Sequence, residues 1–168
     1  MYARTVPTTT DALVLETADA RGTRSLGARL GAVARAGDVL AVSGDLGACK
    51  TELAKGFGVG LGVTETVSSP SFVLMAEHAG RLPLFHLDLY RLDGPDAAVG
   101  AGLLDEREED GVTYIEWAER LGRELPPERL EIAIEIIGDD RRRIRLHATA
   151  PGLRRYLDAA RGDEGATA

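Results

Sequence analysis

One cysteine, one tryptophan and three histidines are spread over 168 residues, and no long apolar run is present. A lone cysteine, Cys49, excludes an intrachain disulfide and any cysteine-cluster metal site, and it fits a reducing compartment. No stretch approaches the ~20 apolar residues of a membrane-spanning helix. The opening Met1-Tyr2-Ala3-Arg4-Thr5-Val6-Pro7 and the three threonines after it lack the apolar core of a signal peptide. Positive charge is short as well: 20 Lys and Arg stand against 27 Asp and Glu, a net −7. That balance argues against autonomous nucleic-acid binding, which leaves a basic footprint. The remainder is ordinary for a globular protein, with 44% apolar and 28% charged residues in a length that suits one domain. A soluble, cytoplasmic domain with no membrane attachment is expected.

Periodicity predicts a strand over 13–17 and a helix capped by Asp19, with Leu26, Leu30 and Val33 on its apolar face and Gly37 as its stop. A buried strand over 38–43 follows, then a helix from Thr51. Two strand-like runs, 72–78 and 82–89, flank Ala79-Gly80-Arg81 as a hairpin. Asp93-Gly94-Pro95-Asp96 opens a short helix through about Leu104. A strand over 112–116 leads into a helix ending near Pro126-Pro127. A hairpin of 130–137 with 143–147 crosses Gly138-Asp139-Asp140, and a last helix covers 153–160. Strands alternate with helices in the first half and hairpins dominate the second. The fold class expected is α/β, with a mixed sheet that has a parallel core and antiparallel additions. One domain spans 11–161, between a flexible N-terminus at 1–10 and a disordered tail at 162–168.

Between the strand over 38–43 and the helix from Thr51 lies Gly44-Asp45-Leu46-Gly47-Ala48-Cys49-Lys50-Thr51. It matches the phosphate-loop template of Gly, four residues, Gly-Lys-Ser/Thr at every position but one, where Cys49 replaces glycine. Backbone N–H groups and a helix N-terminus converge there on one point, a ready anion site. Lys50 supplies positive charge for the β- and γ-phosphates, and the Thr51 hydroxyl is a magnesium ligand. Glycine serves in such loops where the backbone needs an unusual conformation. A Cβ at Cys49 costs roughly 1–3 kcal/mol if the backbone there is strained. No Cys-His pairing supports a catalytic thiol.

Three further segments carry polar residues. Ser68-Ser69-Pro70-Ser71-Phe72 places hydroxyls beside a proline-fixed turn, where they sense a terminal phosphate or simply enter a strand. In Phe85-His86-Leu87-Asp88-Leu89-Tyr90-Arg91, alternation puts His86, Asp88 and Tyr90 on one face. A solvated face explains that pattern; beside a triphosphate, Asp88 would orient the attacking water or hold a metal-bound water. Val112-Thr113-Tyr114-Ile115-Glu116-Trp117 ends an apolar strand in a carboxylate, the Walker-B arrangement in which Glu116 meets Mg²⁺ near Thr51. Trp117 is either plain core or a lid beside the nucleotide, with core packing expected on general grounds.

Taken together, the loop, Ser69-Pro70-Ser71-Phe72, His86-x-Asp88-x-Tyr90-Arg91-Leu92 and Ile115-Glu116-Trp117 resemble the TsaE family, also called YjeE. The resemblance covers about 13–147. It implies a P-loop NTPase-like three-layer fold and Mg²⁺-dependent ATP hydrolysis, in the pathway that places threonylcarbamoyl on the adenosine next to the anticodon of tRNAs reading codons that begin with A. It implies two partners, the threonylcarbamoyl transferase subunit and its non-catalytic paralogue, with tRNA met only through the complex. It also implies Gly44 to Thr51 as the nucleotide loop, Lys50 on phosphate, Thr51 and Glu116 on Mg²⁺, Asp88 in hydrolysis and Trp117 at the site's edge. Two residues depart from the family pattern: Cys49, and Glu52, where a second threonine is common. A docking module with hydrolysis weakened through Cys49 is the rival from another class. A small-molecule kinase is a further alternative, although no lid insertion is evident.

Overall fold

The computed structural model describes residues 11–70, 74–94, 96 and 110–162. The flexible N-terminus expected at 1–10, all but Gly162 of the tail expected at 162–168, Ser71 and Phe72, and most of the helix through Leu104 lie outside these residues. In chain order the described elements are β1 (Ala12–Thr17), α1 (Ala20–Ala32), β2 (Val39–Gly44), α2 (Lys50–Gly60), β3 (Met75–His78), β4 (Leu84–Asp88), β5 (Val112–Glu116), β6 (Leu130–Ile136), β7 (Arg142–Ala148) and α3 (Arg154–Arg161). The strands form one sheet in the order β1-β7-β6-β2-β5-β4-β3. β6, β2, β5 and β4 run parallel; β7 pairs antiparallel with β6 and β1 antiparallel with β7 on one side, and β3 pairs antiparallel with β4 on the other. The mixed sheet read from the sequence is the one observed.

β2 is apolar from Val39 to Val42 because both of its faces are covered. Leu40 and Val42 join Leu26, Leu30, Leu53 and Phe57 in the main core under α1 and α2. Val39 and Ala41 pack with Phe85, Leu87, Ile115 and Leu121 in a second core on the opposite face. Leu121 belongs to a 3₁₀ helix, Ala118–Glu124, which forms the third layer. A regular helix was expected there; Gly122, with φ 48° and ψ −117°, breaks the helical path before Pro126.

The same double cover corrects the reading of β4 as a strand with a solvated face. All five of its residues are buried, His86 and Asp88 included, and only Tyr90, past the strand's end, is substantially exposed. A solvated face exists at the other end of the sheet, where Arg143 of β7 bridges Glu16 of β1 and Glu135 of β6. Such exposed pairs contribute little to stability.

α1 starts where Asp19 Oδ1 accepts the Gly22 N–H at 2.8 Å, the expected cap. It then packs on α2 at a separation that leaves no room for side chains. A Cβ on Gly27 or Gly31 would sit 2.3 or 2.2 Å from a carbonyl oxygen of α2, and one on Gly56 or Gly60 would sit 2.0 Å from a carbonyl oxygen of α1. This contact fixes the direction of α2, whose first turn carries the loop lysine. Gly56→Ala should therefore destabilise the protein by at least about 1 kcal/mol, because overpacking outweighs the gain in helix propensity. Thermal unfolding checks it; a raised melting temperature would contradict the contact.

Candidate nucleotide site

The loop after β2 is built from two left-handed positions. Residues 45–48 form a turn in which the Ala48 N–H donates to the Asp45 carbonyl at 3.0 Å. Gly47, at φ 81°, takes the torsion that a type II turn needs at its third residue. Cys49 then caps α2 at φ 77° and ψ 28°, also left-handed, so the missing glycine is the one the torsion calls for. An L-residue bears about 1–2 kcal/mol there. Because Cys49 already holds this torsion in the folded, ligand-free loop, the torsional cost falls on folding.

Parallel register brings the site together. Asp88 of β4 lies opposite Glu116 of β5, and Glu116 lies opposite Val42 of β2, all at the carboxyl ends of their strands. The Thr51 hydroxyl donates to Glu116 at 3.1 and 3.2 Å from its two oxygens. His86 Nε2 donates to Glu116 Oε1 at 2.8 Å. Asp88 accepts the Ser69 hydroxyl on one oxygen and the Tyr90 N–H, at 3.0 Å, on the other. Lys50 Nζ donates to the carbonyls of Gly44 and Asp45 at 2.6 and 2.8 Å and lies 4.1 Å from the centre of the Trp117 ring. Burial pushes the Lys50 ammonium below the usual lysine value, and the charges of Glu116, Glu119, Asp88 and Asp45 restrain that fall.

These groups line a cavity of about 410 Å³ together with Leu46 to Glu52, Ser69, Tyr90 and Arg91. Every site residue read from the sequence is at or beside it: Gly44 and Asp45 by their carbonyls on Lys50, the others in its wall. Trp117 meets both expectations in part: it is half-buried against the second core and also lines the cavity at its edge. It holds a left-handed torsion, φ 57°, that turns it across Lys50, with the Tyr90 ring tilted against it at 5.0 Å between centres. Glu52 does not leave its charge facing the cavity uncompensated. Burial opposes its carboxylate, but hydrogen bonds from Arg24 and Lys55 prevail and lower its pKa.

Three supports escaped the sequence reading. Tyr114 donates its hydroxyl to the Lys50 carbonyl at 2.8 Å, and burial, aided by the Glu116 charge, raises its pKa well above the ordinary value, so it stays a donor. The period of two back from Glu116 puts Tyr114 and Glu116 on one face, which was the available signal. The His86 bond to Glu116 had the same signal across paired strands. Arg142, which donates to the Gly47 carbonyl at 3.0 Å, had none: it opens an ordinary hairpin strand.

A strand, a phosphate loop, a helix and carboxylates at neighbouring strand ends define a P-loop NTPase-like protein. The comparisons agree. A family model described as "Threonylcarbamoyl adenosine biosynthesis protein TsaE" matches residues 17–144. Proteins named tRNA threonylcarbamoyladenosine biosynthesis protein TsaE are similar: one from Bacillus subtilis at 44% identity, over 73% of this chain and 77% of that one; one from Streptomyces coelicolor at 42%, over 77% and 90%. A crystal structure of Bacillus subtilis YdiB superposes with a TM-score of 0.76 at 37% identity, covering 91% of this chain and 97% of the other. The chain belongs to the TsaE family. Among the described residues no helix is long and apolar enough to cross a membrane.

Cys49→Gly tests the torsional argument. Relief of the left-handed strain, less the greater unfolded-state freedom of glycine, should stabilise the ligand-free protein by up to about 1 kcal/mol, or roughly 2–4 °C in melting temperature. A lowered melting temperature would refute it.

Proposed function

We propose that this protein binds an adenine nucleotide on the Gly44 to Thr51 loop and hydrolyses ATP with Mg²⁺ as a subunit of the cytoplasmic tRNA threonylcarbamoyladenosine machinery. The observation that carries this reading is the convergence of Lys50, Thr51, Glu116 and Asp88 on one cavity at the N-terminus of α2. The N–H groups from Gly47 to Thr51, that of Ala48 after release from the Asp45 carbonyl, would seat the phosphates, favoured by the helix dipole. Lys50 would exchange the Gly44 and Asp45 carbonyls for phosphate oxygens. The Thr51 hydroxyl and the Glu116 carboxylate suit Mg²⁺, which takes one or two protein oxygens and completes its shell with phosphate and water. When bound, the ion neutralises charge that develops on the transferred phosphoryl group.

Asp88, with both oxygens held by Ser69 and Tyr90, would orient the attacking water and accept its hydrogen bond. His86 would keep the Glu116 carboxylate turned toward Thr51. The partners are the threonylcarbamoyl transferase subunit and its non-catalytic paralogue, and tRNA is met only through that complex. Hydrolysis would reset the transferase between rounds of modifying the adenosine beside the anticodon in tRNAs that read codons beginning with A. The family similarity supports the pathway, and the site geometry supports the chemistry.

Trp117 is the only tryptophan and touches Lys50, so nucleotide binding should change its fluorescence. Titration with ADP or ATP and Mg²⁺ should give a saturable change. No response, and no heat of binding at millimolar nucleotide for this chain and for Cys49→Gly, would refute nucleotide binding. With its partners present, Asp88→Asn should lower turnover by about a hundred-fold or more while nucleotide still binds. Glu116→Gln should remove the dependence of binding on Mg²⁺. Steady-state phosphate release decides the first substitution: unchanged turnover takes Asp88 out of the mechanism. Binding without hydrolysis in the unsubstituted chain would favour a docking module.

A further inference from the structure

Arg142 opens β7 and is only 8% exposed. Its Nη1 donates to the carbonyls of Arg141, Gly138 and Asp139 at 2.9, 3.2 and 3.3 Å, and its Nη2 donates to Gly47 at 3.0 Å. Its Nε is buried with no hydrogen-bond partner. Among the described residues no carboxylate pairs with it, whereas Arg129, Arg143, Arg154 and Arg155 each have one. A buried charge is normally paired, because carbonyl dipoles alone compensate poorly for lost water, and an arginine cannot escape by losing its proton.

Among the described residues, the one side-chain hydrogen bond that Arg142 makes outside its own hairpin falls on the phosphate loop. The Gly47–Ala48 peptide is held at both ends: Arg142 takes its carbonyl, and the Asp45 carbonyl takes its N–H. Gly47 would otherwise rotate freely, since a Cβ there would meet nothing within 4 Å and its torsion is one that glycine alone adopts readily. With the carbonyl drawn toward Arg142, it is kept from turning toward the anion, which a carbonyl oxygen would repel.

We propose that Arg142 is a positioning residue for nucleotide binding: it holds the Gly47 carbonyl so that it does not turn on the anion, and it supplies a buried positive charge beside the loop that the nucleotide phosphates balance. The proposal rests on the nucleotide-binding reading above. It also ties the tip of the β6–β7 hairpin to the loop through one side chain.

The test uses Arg142→Lys, which keeps the charge but cannot span the carbonyls, and Arg142→Met, which loses both. ADP is titrated against Trp117 fluorescence, and thermal unfolding is recorded with and without saturating ADP. Both variants should bind ADP roughly ten-fold more weakly or worse. The rise in melting temperature that ADP produces should shrink with the affinity. A merely structural arginine would lower the ADP-free melting temperature and leave ADP affinity unchanged, and that result overturns the proposal. If Arg142→Met does not fold, the ADP affinity of Arg142→Lys decides alone. Failure of the unsubstituted protein to bind ADP defeats the nucleotide reading and this inference with it; equal binding by the parent and both variants defeats the inference only.

Discussion

The first turn of α2 is pinned from several directions, and the arrangement of the site follows from that. Tyr114 of β5 holds the Lys50 carbonyl, Glu116 of the same strand receives the Thr51 hydroxyl, and Arg142 of β7 holds the loop at Gly47. Behind the turn, the glycine-lined contact with α1 sets the axis along which α2 leaves the sheet. A helix start held this firmly can present its N–H groups to an anion without reorganising them on arrival, which is where electrostatic preorganisation has its value.

Charge in the site is arranged by pairing. Lys50 is desolvated against Trp117 and restrained by four surrounding carboxylates, while Glu52, the unusual residue of the first turn, is neutralised by Arg24 and Lys55. The acidic side chain is thus compatible with a phosphate site because its charge is spent on the α1–α2 seam. Asp88 and Glu116, opposite each other on parallel strands, avoid a bare like-charge contact through separate donors: Ser69 and the Tyr90 N–H for one, His86 and Thr51 for the other.

Most of this site was legible in the sequence because its parts are local. A Gly-Asp-Leu-Gly-Ala-Cys-Lys-Thr loop between a strand and a helix needs no distant information, and carboxylates at strand ends need only the parallel register that α/β alternation implies. The mixed sheet was legible for the same reason. Cover was not: whether β4 has a wet face depends on what the chain lays over it from elsewhere, and alternation alone reads polar residues as exposed. The same blindness hid Arg142, whose partner lies 95 residues away in sequence. The break at Gly122 was missed because one glycine in an otherwise helical pattern is usually tolerated.

The glycines of this chain differ in what they forbid, and that gives the Cys49 substitution a meaning in terms of mutational access. At Gly27, Gly31, Gly56 and Gly60 any side chain strikes the backbone of the neighbouring helix, so the barrier is spatial and no nearby compensation removes it. At position 49 the side chain has partial access to solvent and the folded, ligand-free loop accommodates it, so the barrier there is torsional. A torsional barrier of this kind is small beside the stability of a domain this size, so a surplus of stability elsewhere can offset it. The phosphate loop therefore accepts a side chain at one of the positions where its template has glycine, while the helix pair that carries it accepts none at its four contact glycines.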